Sequence, residues 1–90
     1  MNARRVDRIE VLLESAFAPE SLDVEDDSHA HAGHAGAKGG LGHFNVSIVS
    51  AQFNGMKMLA RHRAVYGALD DMMKTDIHAL AIDAVASDEL

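Results

Sequence analysis

An α+β domain, with helices on one face of a small sheet, is the fold class that the sequence predicts. Three observations lead there. The apolar spacing switches between a helical and a strand period, in the order helix, strand, strand, helical region, strand. Of 90 residues, 48% are apolar, 24% are charged and one is proline, a globular composition sized for a single domain over 1–90 with a small core. No apolar run approaches the ~20 residues of a membrane span, so an integral membrane protein is not expected.

The elements follow in order. From Arg5 to Phe17, the residues Val6, Ile9, Leu13, Ala16 and Phe17 recur at three- and four-residue spacings, an amphipathic helix closed by Pro19, which biases Ala18 away from helical geometry. Leu22 and Val24 alternate with Ser21, Asp23 and Glu25 as a short half-buried strand. Periodicity is then lost until Leu41, and the His/Gly-rich stretch at about 27–41 reads as a loop, long enough for its domain to suggest function. Phe44, Val46 and Ile48 alternate with Asn45, Ser47 and Val49 as a second strand, and Asn54-Gly55 signals a turn. From about Met58 to Met73 a helical stripe of Val65, Tyr66, Leu69, Met72 and Met73 is expected. His78 to Val85 fits a third strand.

Charge and residue usage narrow the function. Eight Lys and Arg against fourteen Asp and Glu give −6 with neutral His, which disfavours a generic polyanion binder. Cysteine is absent, so this chain alone forms no disulfide, thiolate metal site or cysteine nucleophile. Met1 to Arg5 lead into an acidic amphipathic stretch and not a signal peptide, so a cytoplasmic location is expected. An enzyme is not expected. No Gly-rich phosphate cradle precedes a helix, no Ser sits in a nucleophile elbow, and only His29, His31 or His34 would offer a general base.

Four of the six histidines fall between 29 and 43. His29, His31 and His34 sit among small residues that let several imidazoles converge on one ion, although a solvated loop explains the same composition. Their spacing matches no structural zinc signature, so a site completed by a second protein is favoured over an autonomous one. His78 begins the third strand and shares parity with Leu80 and Ile82, so its ring is expected on their face of the sheet. Backbone-satisfied strand-end histidines are the plainer reading of both His78 and His43.

Arg61-His62-Arg63 opens the helical region with Lys57 close by. His62 shares its direction with Val65, Tyr66, Leu69 and Met73, so Arg61 and Arg63 are expected to flare outward. Such a pair near a helix N-terminus suits an anion or phosphate; surface arginines offsetting the acidic remainder are the alternative. Met56, Met58, Met72 and Met73 read as core filler.

From Arg5 to Val85 the chain resembles the BolA family. Phe53-Asn54-Gly55, Arg61-His62-Arg63, Val65-Tyr66 with Leu69, and His78-Ala79-Leu80 carry the likeness, in the family's order. The loop around His31 is similar to that of the His-containing branch. The resemblance implies an αββααβ arrangement like a class II KH domain, with helices on a three-stranded mixed sheet. It also implies a monothiol glutaredoxin as partner and a shared [2Fe–2S] cluster. The partner's Cys and glutathione would supply thiolates; this chain would supply nitrogen from His78 and, in the loop, from His31, with His29 and His34 as competitors. No cofactor is expected in the isolated chain. The family's other implied role is a DNA-binding transcription regulator, contacting DNA through Lys57, Arg61, His62 and Arg63. The Gly-x-x-Gly loop of a true KH domain is absent, and Ala86-Ser87-Asp88-Glu89-Leu90 stands where many members have an aromatic-containing final helix, leaving open whether a helix forms there or Ser87 caps a short turn. A homodimer in the apo state is compatible with both roles, and no membrane partner is expected.

Overall fold

A computed structural model describes residues 2–27 and 42–90. The expected order is found: α1 (Asn2–Phe17), β1 (Ser21–Asp26), β2 (Gly42–Ser50), a 3-10 turn (Ala51–Phe53), α2 (Met58–Leu69), α3 (Met72–Thr75), β3 (Ile77–Ala86) and a terminal 3-10 turn (Ser87–Glu89). Among the described residues, three helices lie against a three-stranded mixed sheet of order β1-β2-β3. β1 runs antiparallel to β2, with Ser21 facing Val49 and Asp26 facing Phe44. β3 runs parallel to β2, with Phe44 facing Leu80 and Ser50 facing Ala86.

The helices cover the sheet face that carries the even-numbered residues of β2. Phe44, Val46 and Ile48 are buried there with Ile9, Leu13 and Phe17 of α1 and Val65 and Leu69 of α2. Phe53 is fully buried, its ring centroid 4.9 Å from that of Phe17, which ties the turn after β2 to the end of α1. Ser50 reinforces the junction by donating to the Phe17 carbonyl at 2.7 Å and accepting from the Gln52 N–H at 3.0 Å. Ala18 ends the helix in the left-handed conformation at φ 44, its N–H still donating to the Glu14 carbonyl at 3.0 Å, and Gly55 completes its turn at φ 79, where a Cβ would be strained.

The helical region divides into two helices, as the αββααβ order implies: Asp70, at φ 40, ends α2 and lets α3 bring Met72 into the core. Its expected buried face is corrected. The buried stripe of α2 is Arg61, Val65 and Leu69, at strict four-residue spacing, whereas Tyr66 is exposed. Of the methionines, Met72 is buried, Met56 and Met73 pack against the core, and Met58 lies on the surface.

Candidate functional site

The parallel pairing of β2 and β3 brings their first residues to the same end of the sheet. There the register slips: Gly42 faces Ile77, but His43 faces Ala79, so His78 is an extra residue, a β-bulge. Ile77 stays in the core, 2% exposed, while His78 is exposed. This corrects the expected parity of His78 with Leu80 and Ile82. Its ring instead meets that of His43, with centroids 5.1 Å apart and planes tilted by 58°. The spacing is that of a packed, tilted ring pair, and it places two imidazoles at one end of the sheet.

Backbone bonds hold this end of the sheet. The Asp27 N–H donates to the His43 carbonyl at 2.8 Å, and the Gly42 N–H donates to the Asp76 carbonyl at 2.9 Å. Asp76 is held in turn by Arg5 at 3.3 Å; its carboxyl lies below the usual range, chiefly through the Thr75 hydroxyl and then through Arg5. Beside His43 lies a shallow depression lined by Asp27, Asn45, Ala79 and Ala81. No group of three or more metal-competent side chains occurs among the described residues. His29, His31 and His34 lie outside the described residues.

The basic helix start is divided. Lys57 and Arg63 are exposed and His62 is half-buried. Arg61 faces inward, only 5% exposed, contrary to the expected outward flare. It donates from Nε to the Met56 carbonyl at 2.9 Å and from Nη1 to the Ala84 carbonyl at 3.0 Å, and it forks onto Glu89 at 2.7 and 2.8 Å. That fork holds the Glu89 carboxyl down at about 2, with help from the Ala86 N–H. Arg61 is thus a structural clasp, leaving Lys57, His62 and Arg63 as the accessible part of the patch.

Comparison with known proteins decides the family. The family model for BolA-like proteins matches residues 13–89. The chain belongs to the BolA family. Among curated BolA relatives, it is 46% identical over 81 residues to chloroplastic protein BOLA1 of Arabidopsis thaliana and 45% identical over 82 residues to SufE-like protein 1 of the same plant. Those matches take in 87% and 86% of this chain but only 51% and 22% of the relatives' own lengths. It is 42% identical over 76 residues to the DNA-binding transcriptional regulator BolA of Escherichia coli, covering 84% of this chain and 70% of that one. The solved BolA domain of SufE1 from Arabidopsis thaliana superposes with a TM-score of 0.84 at 42% identity, over 96% of this chain and 95% of that one.

Within this BolA domain, two participants escaped the sequence. His43 was expected to be a strand-end histidine, yet it adjoins His78; the two are distant in the chain, and only parallel strands with a bulge join them. Glu89 carries no local signal of its partnership with Arg61. The terminal segment makes one 3-10 turn and no longer helix. Among the described residues no helix is long and apolar enough to cross a membrane.

Proposed function

We propose that this BolA-family chain is a non-enzymatic adaptor in iron–sulfur or iron homeostasis. It binds a monothiol glutaredoxin through a shared [2Fe–2S] cluster, for which the glutaredoxin Cys and glutathione supply thiolate. The observation that carries the reading is the exposed His78 ring lying against His43 at the head of two parallel strands. His78 is the nitrogen donor of this end. The second donor comes either from His43 or from the segment bearing His29, His31 and His34. That segment is tethered at Asp27 and Gly42, beside the His pair. A cluster with imidazole in place of thiolate supplies an iron–sulfur unit of raised reduction potential.

The test mixes the chain with a cluster-loaded monothiol glutaredoxin and glutathione and records the visible spectrum. A shift that disappears in His78→Ala supports the adaptor; a spectrum unaltered by wild-type chain overturns it. Comparing His29→Ala, His31→Ala, His34→Ala and His43→Ala identifies the second donor from the shortened cluster lifetime.

A second reading, a cytoplasmic DNA-binding regulator, is favoured by the name of the Escherichia coli relative and by the exposed Lys57 and Arg63. Arg61→Ala is a poor test because Arg61 clasps the fold. Lys57→Ala and Arg63→Ala are the appropriate pair: under this reading each weakens DNA binding and reduces its salt dependence, and His78→Ala does neither.

A further inference from the structure

The helices occupy one face of the sheet, and among the described residues none of them crosses the other. On that open face the odd-numbered residues of the three strands point outward. Asp23, Ser47 and Asp83 share one rung, and Glu25, Asn45 and Ala81 share the next. All six are exposed except the half-buried Asn45. Charge is segregated between the two sides. Among the described residues the strands carry no Lys or Arg; every such cation lies on a helix or, as Lys57, at the start of one. The helical side therefore mixes both signs, whereas the described lysines and arginines leave the open face to Asp23, Glu25 and Asp83.

We propose that this open face docks a cationic protein surface, whose Lys and Arg side chains lie across β2 and β3 and meet the three carboxylates. The sign of the face disfavours other macromolecules, since a nucleic acid, an anionic membrane and the same face of a second copy each bring negative charge to it. A base would also find no ring to stack on, because Phe44, the one Phe, Tyr or Trp of the strands, is buried in the core. A single metal ion does not fit either. Strands lie about 4.8 Å apart, so the backbones of Asp23 and Asp83 are separated by ~10 Å, too far to share one ion. The floor of the face suits long cations. Ser47, Ala79 and Ala81 are short, so the aliphatic stems of Lys or Arg lie flat on the sheet while their head groups reach the carboxylates. The depression beside His43, about 240 Å³ and lined by Asp27, Asn45, Ala79 and Ala81, opens onto the same face and receives one such side chain. Exposed ion pairs are individually weak and screened by salt, so the contact forms fast, is transient and is tightest at low ionic strength.

The probe is a short peptide of alternating Lys and Thr, which presents all its cations on one side when extended. Titrated into the isotope-labelled full chain at low salt, it should move the amide signals of Asp23, Glu25, Ser47 and Asp83. Those of Glu14, Asp70 and Asp71, exposed acids of the helical side, should stay in place. Asp23→Asn, Glu25→Gln and Asp83→Asn together should weaken binding about 10-fold and flatten its salt dependence, in a chain whose amide spectrum remains that of the folded protein. The charge-matched set Asp7→Asn, Glu14→Gln and Asp70→Asn should change binding by less than ~2-fold. Signals that move first on the helical side, equal losses from the two charge sets, or no binding even at low salt overturns the proposal. So does a single-stranded oligonucleotide that moves the same sheet signals. The titration contains no iron and no glutaredoxin, so its outcome is independent of the adaptor reading.

Discussion

Ser50 shows how much one small polar side chain does in this molecule. It is fully buried and serves the Phe17 carbonyl and the Gln52 N–H at once. Ser50→Ala leaves both groups without that partner and is expected to cost about 1–3 kcal/mol, read as a lower urea midpoint at unchanged slope. Glu89 gives a prediction in pH. Its carboxyl falls from the usual 4.5 to about 2 in the fold, through the Arg61 fork first and the Ala86 N–H second. A carboxylate depressed by folding stabilises fully above its unfolded value, and the gain disappears as pH falls through the folded one. Wild type should therefore lose stability between about pH 4.5 and pH 2, and Glu89→Gln should show a flatter acid profile over that window and a lower melting temperature above it.

At the scale of elements, α2 carries two kinds of arginine two residues apart. Arg61 lies on the buried stripe with Val65 and Leu69 and binds the end of β3 and the terminal turn. Arg63 is exposed. Arg61→Ala should lower the melting temperature sharply and unlatch Ser87–Glu89, seen as faster amide exchange at Ala86, whereas Arg63→Ala should change stability by no more than about 0.5 kcal/mol. Helical spacing alone placed both outward, because an apolar stripe drawn through His62 and Tyr66 is as regular as the one through Arg61. The interior admits Arg61 because two backbone carbonyls and Glu89 meet its donors in the fork geometry that a guanidinium offers. The bulge at His78 is likewise a property of strand pairing: an alternation read from β3 alone has no means of registering an extra residue against β2.

For the whole molecule, a chain of this size has a thin stability margin concentrated in one core. Phe53 joins the end of α1 to the turn leading into α2, so its loss is felt across the domain. Phe53→Ala should cost about 3–5 kcal/mol and lower the melting temperature by more than ~12 °C in a single cooperative transition, checked by calorimetry. By itself, the sequence determined the order of elements, the core faces of α1 and β2, the turn at Gly55 and the family resemblance. All are carried by local periodicity, backbone preference or ordered motifs, and so can be read along the chain. Tertiary structure alone decided that Arg61 turns inward to Glu89, that His78 leaves the parity of Leu80, and that His43 lies beside it. Each depends on residues 28 to 35 positions apart being brought together by parallel strand pairing and helix docking, and the free energy of such contacts leaves no periodic mark on the sequence.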